Sequence, residues 1–90
     1  MLVSMLENFR LRVFRAVAEQ LNFRKAGEQL YLTQPAVTLQ IKTLEEELGT
    51  KLFERSASGV TLTTAGNTLL VYADKLGRLA EEAENQLASL

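Results

Sequence analysis

Between residues 33 and 42 the chain reads Thr-Gln-Pro-Ala-Val-Thr-Leu-Gln-Ile-Lys. Gln34 carries an amide with a donor and an acceptor side by side, Thr33 and Thr38 carry hydroxyls, and Lys42 carries a point charge. Such a set recognises polar edges and anions; it does not break bonds. No nucleophile in the chain has a matching base, no glycine-rich phosphate loop appears, and Glu45-Glu46-Glu47 reads as a solvated helix end rather than an acid–base pair. There is no His and no Cys, which removes histidine catalysis, zinc fingers and disulfides together. The expectation is a binding protein and not an enzyme, with no cofactor and no metal site.

The elements that must position these side chains follow from periodicity. A first helix runs from about Asn8 to Gln20, with Leu11, Phe14, Val17, Ala18 and Leu21 at spacings of three and four. Asn8 is one candidate N-cap; a Ser4–Glu7 capping box is the rival. Arg10, Arg12 and Arg15 lie off the apolar stripe, as a solvated face or as phosphate contacts. A short second helix is capped by Asn22 and buries Phe23, Ala26, Gly27 and Leu30. Gly inside a helix costs about 1 kcal/mol relative to Ala, so Gly27 either lets a neighbouring helix approach closely or is simply tolerated. After a turn at Tyr31-Leu32-Thr33, a third helix runs from about Gln34 to Leu48, with Thr33 as N-cap, Pro35 in the first turn and Gly49 beyond the end. Its core stripe is Val37, Ile41, Leu44 and Leu48; the opposite face is centred on Pro35, Leu39, Lys42 and Glu46, flanked by Thr38 and Thr43. This helix–turn–helix layout is one whose second helix can lie in a DNA major groove.

Residues 51–55 and 60–62 read as short strands around Ser56-Ala57-Ser58-Gly59, a hairpin placed as a wing. Thr63 can cap a last helix in which Leu69, Leu76, Ala83 and Leu90 repeat every seven residues, with Tyr72 and Leu79 three residues after members of that series and Ala73, Ala80 and Leu87 beside them. That is an a/d seam. It either pairs with a second copy or packs only on its own domain. The fold class expected is therefore mainly α: a winged helix-turn-helix of three helices and a small two-stranded wing, followed by a long dimerisation or linker helix. The division is 1–63 for the winged domain (helix-turn-helix about 23–42, wing about 52–62) and 64–90 for the linker helix.

Ninety residues suffice for one modest core. No stretch approaches the roughly 18–20 apolar residues that span a bilayer, and Met1 to Glu7 lacks the pattern of a secretory signal, so the expected location is cytoplasmic. The charge balance is unusual for a nucleic-acid binder: 10 Lys+Arg against 11 Asp+Glu. Contacts to phosphate must come from a few placed cations, helix N-termini and backbone amides rather than from a general positive field.

From Phe9 to about Leu79 the chain resembles the N-terminal domain of LysR-type transcriptional regulators. The resemblance rests on Phe14-Arg15-Ala16-Val17-Ala18-Glu19, Asn22-Phe23-Arg24-Lys25-Ala26, Leu30-Tyr31-Leu32-Thr33-Gln34-Pro35-Ala36-Val37-Thr38, the run from Leu44 to Arg55, and Leu62-Thr63-Thr64-Ala65-Gly66, in order and at the right spacing. It implies a bacterial, nucleoid-associated regulator that binds double-stranded DNA as a homodimer joined by the long helix, with dimers pairing into tetramers in full-length proteins. It also implies a C-terminal domain, absent from this chain, through which a small-molecule effector acts. Thr33, Gln34, Pro35 and Thr38 match the family's recognition positions. Gln34 can pair bidentately with adenine, Thr33 and Thr38 can reach phosphate or a base edge, and Pro35 and Ala36 can touch a thymine methyl. Arg24, Lys25 and Lys42 suit phosphate. Leu39 stands where many relatives carry Arg or Lys, which leaves an apolar contact. The wing keeps Arg55 at its base and Ser58 at its tip; Arg55 either reaches DNA or pairs with a nearby Glu. The expected dimer contacts are Leu69, Tyr72, Leu76, Leu79, Ala83, Leu87 and Leu90. The alternative to DNA reading is a winged-helix adaptor for proteins, which requires a contiguous apolar patch on the outer face of the third helix.

Overall fold

The computed structural model describes residues 8–90. Four helices and a two-stranded antiparallel sheet follow in the order α1 (Phe9–Gln20), α2 (Phe23–Leu30), α3 (Gln34–Leu48), β1 (Phe53–Ser56), β2 (Gly59–Leu62) and α4 (Thr64–Ala88). Asn8 is the N-cap of α1, its side-chain oxygen accepting from the backbone N–H of Arg10 and Leu11; the rival capping box at Ser4 and Glu7 lies outside the described residues. Asn22, Thr33 and Thr63 cap the other three helices in the same way, through Lys25, Ala36 and Gly66. Each satisfies a donor that the helix leaves without a partner.

The core gathers around α1, which packs against α2, α3 and α4. Val13, Phe14, Ala16 and Val17 are all fully buried, so α1 is covered on more than the single stripe read from its sequence. Leu21 does not join that stripe: it is the left-handed C-cap of α1 (φ 48°) and is exposed. Leu48 is a second correction, 51% exposed instead of in the core. It occupies the last position of α3, one turn beyond Leu44, where the chain has already turned away through Gly49 at φ 70°. The three arginines of α1 are not a free cationic face either. Arg10 pairs with Glu47 at 3.3 Å, Arg15 with Asp74 at 3.4 Å, and Arg12 lies 5.9 Å over the ring of Phe9.

Two glycines mark where backbone meets backbone most closely. A Cβ on Gly27 would sit 2.6 Å from the carbonyl oxygen of Leu32, because the α2 terminus folds back on itself: Leu32 N–H donates to Gly27 O at 2.8 Å and Tyr31 takes φ 59°. This is the Schellman pattern, and it makes the turn of the helix-turn-helix compact. A Cβ on Gly66 would collide with the carbonyl oxygen of Leu52, so the first turn of α4 rests on the backbone that leads into the wing. Thr63 seals the same junction: its N–H donates to Leu52 O at 3.0 Å and its hydroxyl to Lys51 O at 2.7 Å.

Beyond that junction α4 carries two stripes one residue apart. Gly66, Ala73, Gly77 and Ala80 are buried, and Leu69 and Leu70 pack on the core. Leu69 therefore leaves the expected seam and serves its own domain. Tyr72, Leu76, Leu79 and Leu87 stay exposed, as does Leu90 just beyond the helix, whereas Ala83 is half-buried. No helix among the described residues is long and apolar enough to cross a membrane.

Gly66→Ala is expected to cost about 2–3 kcal/mol through overpacking against a backbone oxygen that has no side chain to swing away. Gly49→Ala, with open space but a left-handed φ, should cost only about 1 kcal/mol. Urea unfolding of the two variants side by side checks the ranking.

Candidate nucleic-acid interface

α3 starts at a position where its N-terminal turn is open to solvent. Thr33 Oγ1 accepts from Ala36 N–H at 3.3 Å, which leaves its own hydroxyl proton free to donate outward. The first turn of α3 holds no acidic residue, so nothing opposes an anion at the positive end of the helix. Val37, Ile41 and Leu44 anchor one side in the core. The opposite side displays Gln34, Pro35, Leu39 and Lys42, with Ala36 and Thr38 half-buried beside them. Gln34, Pro35, Thr38, Leu39 and Lys42 line one shallow hollow. No contiguous apolar patch covers this face; Pro35 and Leu39 are its only exposed apolar side chains, which counts against an adaptor surface.

The wing stands beside that face through an aromatic cluster. Phe53 opens β1 with its ring 5.4 Å from Phe14 and 5.8 Å from Phe23. Side chains alternate along a strand, so Arg55 points the same way as Phe53, and its guanidinium stacks 3.8 Å over Phe23. Sequence reading offered a Glu partner for Arg55; the structure gives it an aromatic platform instead, worth about 0.5–1 kcal/mol at an exposed site. Arg55, Phe23, Thr38 and Lys42 border a concavity between α3 and the wing, so Lys42 adjoins both hollows. At the tip, Ser58 is exposed and bonded to Ser56, Oγ to Oγ, at 2.8 Å. In α2, Lys25 is exposed, whereas Arg24 is paired with Glu28 at 2.7 Å. That exposed pair is worth little and is readily exchanged for another anion.

Glu45 departs from the solvated acidic run that its sequence suggests. Its side chain is only 12% exposed. Oε2 accepts from Leu52 N–H at 2.8 Å and Phe53 N–H at 3.4 Å, while Oε1 lies 3.8 Å from Lys51 Nζ. One carboxylate thus ties the end of α3 to the start of the wing and fixes their mutual angle. Its placement one turn after Ile41 on the flank of the buried stripe was the available signal. Tyr31 is the other residue whose setting sequence did not show: it is 96% exposed and left-handed, the C-cap of α2 two residues before the cap of α3.

Residues 9–67 match the family model described as bacterial regulatory helix-turn-helix protein, lysR family. A probable RuBisCO transcriptional regulator of Cyanophora paradoxa is 46% identical over 81 residues, 90% of this chain and 25% of that protein. The RuBisCO operon transcriptional regulator of Allochromatium vinosum is 44% identical over 81 residues, 90% of this chain and 27% of that protein. The chain thus spans about a quarter of the length of these curated relatives. Among solved structures, the CbnR_DBD–DNA complex superposes with TM-score 0.83 at 38% identity, covering 89% of this chain and 92% of that one. The BenM_DBD complex with catB site 1 DNA gives TM-score 0.86 at 38% identity, covering 89% and 90%.

Glu45→Ala leaves two backbone N–H groups without an acceptor and should cost about 1–3 kcal/mol. Amide hydrogen exchange is expected to accelerate most at Leu52 and Phe53, with Glu45→Gln intermediate because it keeps one acceptor oxygen.

Proposed function

The chain belongs to the lysR family of bacterial regulatory helix-turn-helix proteins, and from that premise we propose that it binds double-stranded DNA sequence-specifically as a homodimer. α3 enters the major groove and the wing approaches the minor groove alongside. The observation that carries this reading is the outer face of α3: a solvent-open helix N-terminus with Gln34, Thr38 and Lys42 on one side, flanked by Lys25 on α2 and by Arg55 on the wing. In it Gln34 reads a base edge, Thr33 and Thr38 reach phosphate or base, and Lys25, Lys42 and Arg55 hold the backbone. Arg24 joins them by leaving Glu28. Ser58 meets the backbone at the tip of the wing.

The dimer in this proposal uses the exposed apolar stripe of α4. Tyr72, Leu76, Leu79 and Leu87, with Leu90 just past the helix, are exposed while Ala73, Gly77 and Ala80 occupy the buried side, and half-buried Ala83 completes the set. Pairing two such helices sets two copies of α3 into successive major grooves, about 34–36 Å apart, and so favours an inverted repeat. Such a role belongs to the bacterial cytoplasm and its nucleoid. In a full-length regulator two dimers pair into a tetramer, and a small-molecule effector acts through the remainder of the protein.

Near-neutral net charge sets the energetics. With few cations on the interface, affinity for random duplex is low and the salt dependence shallow. Fluorescence anisotropy against a library-selected duplex and a scrambled one, at two salt concentrations, tests the proposal; equal affinity for both would reject sequence reading. Gln34→Ala is expected to cost about 1–3 kcal/mol on the selected site and little on the scrambled one. Lys42→Ala should weaken both alike and flatten the salt slope by about one unit per protomer.

Leu79→Asp places a charge in the centre of the α4 stripe and is expected to convert the dimer to a monomer with its helical circular dichroism retained. Sedimentation equilibrium reads this directly, and a variant that stays dimeric would remove the stripe as the interface.

A further inference from the structure

Leu39 is out of place on the face it occupies. It is 61% exposed, with amide, hydroxyl and ammonium neighbours in Gln34, Thr38 and Lys42. Leu48, the other large exposed apolar side chain of α3, lies at the far end of the helix. The remaining large apolar side chains that are exposed lie on α4 and at Leu90 beyond it, and outside α3 at Phe9, Leu21 and Tyr31. Pro35, one turn before Leu39, is exposed on the same line of the helix and borders the same hollow. The two form an isolated apolar pair inside a polar reading face.

We propose that Leu39, backed by Pro35, is a specificity-determining contact that reads the C5-methyl group of a thymine in the major groove. The inference rests on the DNA-reading function proposed above and adds the chemical feature that the second turn of α3 selects. Of the groups that base pairs present in the major groove, the thymine methyl is the apolar one; the others are hydrogen-bond donors and acceptors. Leu39 has neither donor nor acceptor, so a favourable contact with a base edge must be with that methyl. Cytosine at the same place offers no methyl and an amino group, which Leu39 would strip of water without replacing the hydrogen bond. Leu39 is the sixth residue of α3, within the N-terminal part of a recognition helix that reaches base edges. Helical rise places it about 6 Å along the axis from Pro35, comparable to two base steps of about 3.4 Å each. Lys42 continues the same line towards the backbone, so one face runs from methyl contacts to a phosphate contact.

The experiment begins with selection of duplexes from a random library by the 90-residue chain. Each thymine of the selected half-site is then replaced by deoxyuridine, which removes the methyl and leaves every hydrogen-bonding group in place. Wild-type affinity is expected to fall three- to fivefold, roughly the value of burying one methyl group, at one or two positions. At one of them Leu39→Ala should bind the thymine and uracil duplexes equally; because Leu39 is exposed, that variant keeps its fold. Restoring the methyl as 5-methylcytosine opposite guanine should recover part of the affinity that unmodified cytosine loses there. If no thymine is sensitive to uracil replacement, or if Leu39→Ala keeps the full sensitivity, Leu39 does not read a methyl and the DNA-reading function still stands. If the wild-type chain enriches no duplex at all, sequence reading itself fails, and the methyl contact with it.

Discussion

The packing of Phe53 between Phe14 and Phe23 is the constraint on which the outward-facing surface depends. With ring centroids at 5.4 and 5.8 Å, it joins the first strand of the wing to α1, the centre of the core, and to α2, the first helix of the helix-turn-helix. Offset and edge-on ring contacts of this kind are directional as well as apolar, so they fix an angle in addition to excluding water. Because β1 alternates its side chains, holding Phe53 also holds Arg55 over Phe23. A cation at the base of the wing is thereby positioned by the core rather than by an ion pair, and its charge stays available.

The Glu45 carboxylate acts on the same joint from the other side. It accepts from the backbone of Leu52 and Phe53, and the Leu52 carbonyl in turn meets Thr63 and the bare surface of Gly66. A short stretch of backbone at Leu52 and Phe53 is therefore gripped by α3, by the cap of α4 and by the aromatic cluster. It relates the three parts that the proposed DNA reading requires in register: α3, the wing beside it and α4.

Charge is distributed by the same logic. Among the described residues, Arg10, Arg15, Arg24 and Lys51 sit in ion pairs with Glu47, Asp74, Glu28 and Glu45, and these mostly exposed pairs contribute little stability. Lys25, Lys42 and Arg55 carry no ion pair there and lie on α2, α3 and the wing. A chain of net charge −1 thus still offers three cations without an ion pair around the outer face of α3, although the Arg24–Glu28 and Lys51–Glu45 pairs lie close to them.

Most helix caps, and the polar opening of α3, were legible in the sequence, while its apolar periodicity was legible only in part. Asn22, Thr33 and Thr63 are caps because a short side-chain oxygen at that position accepts a nearby N–H within the same few residues, and the helix boundaries at Gln34 and Thr64 follow. The small residue at position 27 admitted a close approach, which is local to the turn that follows it. The polar opening of α3 was legible for the same reason, since helical period alone puts it opposite Val37 and Ile41. Packing between elements settled what remained. Periodicity could not separate Leu69 from Leu76, because the two stripes of α4 are a single residue apart and the choice depends on which one α1 touches. It placed Leu48 inside, although the core ends before the last turn of α3. It left Glu45 among solvated acids and Arg55 open between DNA and a nearby Glu, because the partners they have within the domain, the Leu52 and Phe53 amides and the Phe23 ring, are brought to them by packing between elements and not by spacing within one.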